Sequence, residues 1–293
     1  YTDMKSILFT SHLVSPSIYW TYRRLRRAVP HTYDVYWLYD DSKGSPPWIV
    51  RSNNYYTYSA KALKGKGYPF TIGDSLTPGN NHFPVIDFHR LHSGYTHYWI
   101  VEYDVRFTGA WSSFFNHFEN NTADLLSAAI TRHADAPEFV FWNSLSHPSK
   151  NIAASKQIRS FNPIYRISRE ALNFIDAAHR EGWSGHHEVL LPTLLCENGF
   201  TIEDFGGEGA FVPEGRENTF YTSEDLNKFG IPDKGTHRYQ PRFWKAGSQP
   251  NKIYHPVKPV SWFAKREARR LAQMKRFANL SYVYRKGKER LKF

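Results

Sequence analysis

Short apolar runs that alternate with an amphipathic segment mark the first forty residues. Residues 5–11 form an apolar run that ends in small polar residues, typical of a buried strand leading into a loop. Ser15 and the proline after it provide the N-cap and an allowed first-turn position for a helix to about residue 28. A second run, residues 33–39, ends at Asp40 and Asp41. This strand–helix–strand order predicts a parallel sheet with a right-handed crossover.

The rest of the chain has a less regular pattern. We interpret residues 43–94, rich in Gly, Pro, Asn and Tyr, and residues 205–250, rich in Gly, as loops with short elements. Four clearer elements stand out: strands at 95–105 and 138–142, and helices at 169–180 and 187–197. Together the elements predict an α/β fold, in which a mostly parallel central sheet is flanked by helices.

The net charge of +11 is concentrated at the C-terminus. Residues 258–293 carry 12 Lys/Arg and 2 Asp/Glu, so the rest of the chain is nearly neutral. We therefore expect a catalytic domain at 1–258 and a basic, mostly helical tail at 259–293, which either packs on the domain or attaches to an anionic membrane surface. Nucleic acid is disfavoured, because a protein that binds it usually carries basic charge on its folded face as well. The arginines at 23–27 are interpreted as a solvated helix face.

Cysteine usage and hydropathy point to the cytoplasm. The single cysteine, Cys196, cannot form an internal disulfide and is expected to be a buried, inert thiol. No apolar run reaches the roughly 18 residues of a membrane span, and the first residues lack the core of a signal peptide. We expect a cytoplasmic protein, with peripheral attachment to the inner face of the membrane as the alternative.

Two acids end the clearest strand of the middle third. In the segment Tyr98-Trp-Ile-Val-Glu-Tyr-Asp, Glu102 and Asp104 stand two residues apart, so on a strand both carboxylates share one face. Carboxylates this close are costly unless a cation neutralises them, and a hard divalent metal would do so. The alternative is a pair of solvated acids at the exit of the strand. The apolar residues before Glu102 favour an interior strand that opens onto a cleft.

Two further residues could take part in catalysis or metal binding. Glu188 follows a Gly-bounded loop at the start of a helix, where a carboxylate is favoured by the helix dipole, although an ordinary first-turn acid would look the same. His255 lies in Lys-Ile-Tyr-His-Pro-Val-Lys, just before the basic tail, and a lone histidine is more often structural than a metal ligand.

The order of these motifs resembles the nucleotide-sugar-dependent glycosyltransferases of the GT-A fold. In those enzymes a strand ends in a short acidic motif, often Asp-x-Asp, that holds a divalent ion and the diphosphate of the donor. Glu102-Tyr-Asp104 is a Glu-x-Asp variant of it. The surrounding W-x-x-E-x-D-V-R-x-T-G segment also resembles a family of bacterial and fungal proteins with the same layout. The resemblance implies that Asp104 is a metal ligand and that Glu102 binds the ion through water or contacts the ribose or sugar.

The same resemblance implies roles for residues later in the chain. Glu188 would be the general base of an inverting transfer, with His187 as the second choice, and His255 would complete the shell of Mn²⁺ or Mg²⁺. The expected donor-binding residues are Ser11, His12, Asp40, Asp41 and Lys258, and the expected acceptor-binding residues are Trp183 and His186. The first four donor residues could equally be turn and cap residues.

The sequence therefore predicts a metal-dependent glycosyltransferase that moves a sugar from a nucleotide-sugar donor to the hydroxyl of a carbohydrate or a lipid-linked glycan. Two alternatives stay open. A metal-dependent phosphohydrolase would need more acids and histidines around the metal than the sequence supplies. A non-catalytic binding protein would attach to an anionic surface through its basic tail.

Overall fold

A computed structural model describes residues 3–223 and 226–262 continuously, together with residues 265, 266 and 269. The chain forms two compact units, Tyr1–Val257 and Lys258–Phe293. Nearly all regular structure of the described residues belongs to the first unit. The predicted tail helix over 259–293 lies largely outside the described residues, so the tail and its membrane role stay predictions. No helix in the described part of the chain combines the length and the apolar character needed to cross a membrane.

Helices and strands alternate through the first unit. The strands are β1 (Lys5–Ser11), β2 (Tyr33–Asp40), β3 (Tyr55–Tyr58), β4 (His97–Glu102), β5 (Arg106–Phe107), β6 (Leu125–Arg132), β7 (Ile158–Ser168), β8 (Ile202–Asp204) and β9 (Ile253–Tyr254). The helices are α1 (Pro16–Ala28), α2 (Trp48–Arg51), α3 (Ala60–Gly65), α4 (Phe83–Leu91), α5 (Trp111–His117), α6 (Arg169–Glu181) and α7 (His187–Glu197).

The main sheet confirms the predicted α/β class. Among the described residues it has seven strands in the order β3-β2-β1-β4-β7-β6-β8. β1 pairs in parallel with β2 and β4, β2 pairs in parallel with β3, and β6 pairs in parallel with β8. Only β7 runs antiparallel to its neighbours β4 and β6 within this sheet. The other six strands therefore end at one edge, which is where open α/β sheets bind ligands.

Helices cover both faces of the sheet, and each face has its own hydrophobic core. α1, α2 and α5 bury Ile18, Val50 and Phe114 against β1, β2 and β4 on one face. α3, α4, α6 and α7 bury their apolar residues against the opposite face of the same strands. Both faces of the central strands are apolar, which explains why their sequences read as continuous rather than alternating apolar runs.

The predicted starts and ends of several elements agree closely with the structure. Ser15 caps α1 by accepting a hydrogen bond from the backbone N–H of Ile18 at 3.3 Å. Ser168 caps α6 in the same way through Ala171, and Gly182 ends that helix in a left-handed conformation. α7 spans the predicted residues. These boundaries were predictable because each depends on a local cap.

Other expectations were wrong. Residues 138–142 are not a strand: they form turns that lead into a 3-10 helix at Trp142–Ser144, and their aromatic side chains pack with Val189 of α7. By contrast, residues 43–94 agree with the expectation of loops with short elements, because they hold the short elements α2, β3, α3 and α4. β4 ends at Glu102, so Asp104 lies in the turn that follows. Cys196 is half-buried rather than buried.

Two side chains of α7, those of Thr193 and Glu188, make hydrogen bonds to the backbone of β7. The Thr193 hydroxyl accepts a hydrogen bond from the Ile158 N–H and donates one to the Ile158 carbonyl, both at 2.9 Å. Near the start of the helix, the Glu188 carboxylate accepts a hydrogen bond from the Asn162 N–H at 3.3 Å. Together these contacts fix the register of the helix against the strand.

We expect Thr193→Val to lower the free energy of unfolding by about 1–3 kcal/mol. The substitution keeps the shape of the side chain but leaves two buried backbone groups of Ile158 without a partner. Thr57→Val is the matched control, because Thr57 lies on the edge strand β3 and its hydroxyl makes no hydrogen bond within the described part of the chain. Urea unfolding of both variants measures the difference. Equal stability of the two would show that the hydrogen bonds between Thr193 and Ile158 do not stabilise the fold.

Candidate functional site

The end of β4 brings the predicted acids to the ligand-binding edge of the sheet. Glu102 is the last residue of the strand and is 30% exposed through its side chain, whereas the Asp104 side chain is 1% exposed. The Val257 N–H donates a hydrogen bond to the Asp104 carbonyl at 2.8 Å. Just beyond, β5 pairs with β9 in register Arg106 with Tyr254. These contacts hold the segment that contains His255 next to the acidic end of β4.

Glu102, Asp104 and His255 form one cluster, which we call the acid–histidine cluster. The Nε2 atom of His255 lies 3.7 Å from Glu102 Oε2 and 3.7 Å from Asp104 Oδ2. One ligand atom from each of the three residues lies within 4.8 Å of the other two, a spacing that can hold a metal ion. The structure thus brings together residues that are separated by about half of the chain.

The chemistry of the cluster fits a divalent cation. The Nδ1 atom of His255 lies 2.9 Å from the Arg238 carbonyl, so Nδ1 carries a hydrogen and Nε2 faces the carboxylates. This hydrogen bond to the far ring nitrogen is the arrangement that orients metal-binding histidines. Two carboxylates and one imidazole suit Mn²⁺, and the carboxylates also suit Mg²⁺.

Glu188 lies in the first turn of α7, close enough to the cluster to interact with it electrostatically. Its side chain is 14% exposed, and burial raises its pKa to about 7. The Arg159 guanidinium and the Asn162 N–H oppose this rise, the Glu102 carboxylate adds to it, and His255 opposes it. A carboxylate that takes up protons near neutral pH is suited to general-base chemistry.

Arg159 is the cation that faces Glu188 from β7. It is fully buried, and none of its three guanidinium nitrogens has a hydrogen-bond partner among the described residues. The guanidinium lies 4.6 Å from the centroid of the Phe139 ring. Burial lowers the pKa of Arg159 to about 10, while the carboxylates of Glu188 and Glu138 act in the opposite direction. Arg159 therefore remains a cation at neutral pH.

The other residues expected around Glu188 have packing contacts of their own. His186 stacks on Phe141 with the ring centroids 4.1 Å apart, and its Nδ1 accepts a hydrogen bond from the Glu188 N–H at 3.3 Å. His187 is 5% exposed, and burial lowers its pKa to about 4. Trp183 is 8% exposed and belongs to the core between α6 and the sheet. Burial thus shifts the pKa of His187 down and that of Glu188 up, and Trp183 makes a packing contact.

Four of the five expected donor residues lie at the same edge of the sheet as the cluster. Ser11 ends β1, and its hydroxyl accepts a hydrogen bond from the Trp37 indole at 2.6 Å. The exposed His12 ring stands edge-on to Tyr103, with the centroids 5.2 Å apart. Asp40 ends β2 and accepts a hydrogen bond from the Ser42 N–H, and Asp41 follows it. Lys258 belongs to the second unit, so its role stays a prediction.

Two tyrosines that the sequence analysis did not single out belong to this edge. Burial raises the pKa of Tyr58, at the end of β3, and the carboxylates of Asp40, Glu102 and Asp41 raise it further. Burial also raises the pKa of Tyr165 on β7, and Glu102 adds to the effect. Both phenols therefore stay neutral hydrogen-bond donors beside the acids. Tyr58 could be identified only from the parallel pairing of β3 with β2, which places it opposite Asp40.

Several solved structures are similar to this chain. They include mouse xyloside xylosyltransferase 1 (11% identity, 69% of this chain and 84% of that one, TM-score 0.37). Core-mannan synthase A from Aspergillus fumigatus, in its Mn/GDP form, has 12% identity over 69% and 72% of the two chains, with a TM-score of 0.38. Glucosyl-3-phosphoglycerate synthase from Mycobacterium tuberculosis, in complex with Mg²⁺ and UDP, has 13% identity over 69% and 68%, with a TM-score of 0.41.

These similar structures are of the GT-A type that the sequence resembles. No protein-family model matches the chain, and no curated protein matches it. Because each TM-score quoted above is under 0.5, what the site can do is inferred from its own residues.

We expect Asp104→Asn to weaken Mn²⁺ binding by more than about tenfold, because the substitution removes one of two carboxylates that face His255. Calorimetric titration of metal-stripped protein measures the affinity. Asp135→Asn is the matched control, since Asp135 is exposed in a 3-10 helix outside the cluster. If both variants bind Mn²⁺ as the wild type does, the cluster is not the metal site.

We expect Glu188→Gln to stabilise the metal-free protein increasingly as the pH rises from about 4.5 to about 7. The pKa of Glu188 is raised on folding, so the folded state binds the extra proton in this range and ionisation disfavours folding. The difference in the free energy of unfolding should level off above pH 7 at no more than about 3 kcal/mol. Urea unfolding in the presence of a chelator measures it. A difference that does not vary with pH would contradict the raised pKa.

Proposed function

We propose that the protein is a metal-dependent glycosyltransferase that moves a sugar from a nucleotide-sugar donor to an acceptor hydroxyl, with inversion at the sugar carbon. The observation that carries the proposal is the position of a buried acid with a near-neutral pKa, Glu188, beside a separate cluster of metal-ligand residues. One group of residues is thus suited to neutralising a leaving group and the other to activating a nucleophile.

The acid–histidine cluster supplies the binding half of this chemistry. Asp104 and His255 are the firmer ligands because both are nearly buried, and Glu102, which is partly exposed, can reach the ion or the donor. A bound divalent ion would supply positive charge to the donor diphosphate as it departs. Asp40 and Asp41 at the end of β2 and the neutral phenol of Tyr58 offer hydrogen bonds to the sugar or ribose.

Glu188 would accept the proton in the transfer reaction. Its Oε1 is fixed by the Asn162 N–H at 3.3 Å, and its Oε2 lies 3.9 Å from His186 Nδ1. Direct attack by the acceptor hydroxyl inverts the sugar carbon, and Glu188 takes the proton of that hydroxyl. The positive charge of Arg159 favours the ionised form of Glu188, which is the form that acts as a base. A phosphohydrolase would instead direct water to a phosphorus atom of the diphosphate and leave the sugar on its phosphate, so analysis of the products separates the two reactions.

The first experiment is a thermal-stability screen of nucleotide sugars with and without Mn²⁺, followed by product analysis with the donor that stabilises the protein. Binding to the native state raises the melting temperature according to ligand concentration and affinity. We expect stabilisation that requires Mn²⁺ and is lost in Asp104→Asn. Stabilisation by the donor to the same extent without any divalent ion would contradict the metal-dependent proposal.

With the donor identified, we expect Glu188→Gln to lower kcat by about 10²- to 10⁴-fold with a much smaller effect on donor binding, because the base is removed while the acid–histidine cluster is kept. Glu170→Gln is the matched control, since Glu170 is also a first-turn acid but lies exposed on α6. Full transfer activity in Glu188→Gln would exclude Glu188 as the base. Release of free sugar without any transfer product would instead indicate hydrolysis.

A further inference from the structure

Two tryptophans on neighbouring helices are exposed, although most large aromatic side chains of the fold are buried. Trp20 on α1 is 59% exposed and Trp48, the first residue of α2, is 71% exposed. The opposite side of α1 is buried through Ile18, Thr21, Tyr22 and Leu25. Exposed large apolar side chains grouped on one face indicate contact with a partner or a membrane.

Exposed arginines lie on the same two helices as these tryptophans. Trp20, Arg24 and Arg27 follow the i, i+4, i+7 spacing that places them on one outward side of α1, and Arg51 ends α2. These four residues, together with Trp48, form what we call the α1–α2 surface: the tryptophans are Trp20 and Trp48, and the arginines are Arg24, Arg27 and Arg51. Within the described part of the chain, no ion pair joins these arginines to an acid.

The two chain segments that carry the α1–α2 surface contain no acids, so all of their charged side chains are basic. Residues 4–33 and residues 42–73 contain no Asp or Glu, yet each segment carries five Lys or Arg. Residues 1–257 as a whole are nearly neutral, so this distribution is strongly one-sided. A one-signed surface with exposed aromatic rings is complementary to an anionic partner.

α1 and α2 hold this surface on one side of the sheet. Ile18 and Leu25 of α1 and Val50 of α2 belong to the same buried core. Outside the core, Arg26 donates a hydrogen bond to the side-chain carbonyl of Asn53, just after α2, at 2.9 Å. The tryptophans and arginines are therefore carried on a preformed scaffold and do not need to order on binding.

We propose that the α1–α2 surface docks the protein on an anionic lipid bilayer. Tryptophan rings favour the interface between headgroups and acyl chains, and each arginine near an anionic leaflet adds electrostatic attraction. α1, with 13 residues, lies in the plane of the interface and inserts its outward side only. Docking of this kind does not depend on the basic tail and does not depend on the proposed transferase activity.

Docking would also bring the candidate site to the membrane. Trp20 and Trp48 lie near the starts of helices that follow the ends of β1 and β2. Glu102 ends β4 at the same edge of the sheet. If the proposed function is correct, an acceptor carried on a lipid would therefore reach the site within the plane of docking.

The test is co-sedimentation of the full chain with phosphatidylcholine vesicles that contain or lack phosphatidylglycerol. We expect binding to the anionic vesicles that weakens with added salt. Trp20→Ala/Trp48→Ala and Arg24→Glu/Arg27→Glu should each lower the partition coefficient by at least about tenfold. All variants keep the basic tail, so its contribution is the same in each comparison.

Matched controls are available on other parts of the protein. Trp244→Ala removes a tryptophan that is 64% exposed outside the α1–α2 surface. Lys228→Glu/Lys245→Glu makes the same change of net charge as the arginine pair, at exposed positions outside the two segments that carry the surface. Circular dichroism and thermal melting check that each variant is folded, which is expected because the changed side chains are exposed.

Loss of binding in the α1–α2 variants, with wild-type binding in the controls, supports the proposal. Three results would overturn it: no binding of the wild type to anionic vesicles, equal binding of all variants, or equal losses in the variants and in their controls. Binding that single-stranded nucleic acid removes, with the same dependence on Trp20 and Trp48, would assign the surface to a nucleic acid instead. None of these outcomes bears on the transfer reaction, which is measured with a soluble acceptor.

Discussion

The constraint on which the site depends is the burial of like charges at the end of β4. Asp104 is almost fully buried, Glu102 is partly exposed beside it, and Glu188 lies within electrostatic reach. Carboxylates in a low-dielectric setting repel one another and lose hydration, so each needs a proton, a cation or hydrogen-bond donors. Two different solutions are found here: His255 and two carboxylates form a cluster whose spacing can hold a cation, whereas Glu188 takes up a proton near neutral pH.

The antiparallel strand β7 makes this division possible. It lies between β4 and β6, so it contacts the acidic strand on one side and supports α7 through Ile158 and Asn162. Every residue of β7 is buried, and the strand places Arg159 under the start of α7. A fully parallel sheet would need another crossover connection here. β7 therefore contacts both β4, which ends in Glu102, and α7, which carries Glu188.

The sequence predicted the parts of the fold that depend on local signals. The crossover through α1, the α/β class and the limits of α7 followed from caps, periodicity and apolar runs. The acidic end of β4 was recognised for the same reason. The strand expected at 138–142 failed because its aromatic residues pack on α7 rather than in the sheet. Arg159 and Tyr58 were missed because their importance arises from long-range pairing, which no local pattern records. The roles of Glu102, Asp104, His255 and Glu188 remain proposals.

The charges of the site also couple its two halves. Glu102 is one of the groups that raise the pKa of Glu188, and Arg159 opposes it from the other side. Any cation held by Glu102 and Asp104 offsets the first influence and leaves the second in place. Ionisation of Glu188 is therefore favoured when the cluster is filled, and by linkage an ionised Glu188 strengthens cation binding. If Glu188 is the base, proton transfer would then depend on whether the cluster holds a cation.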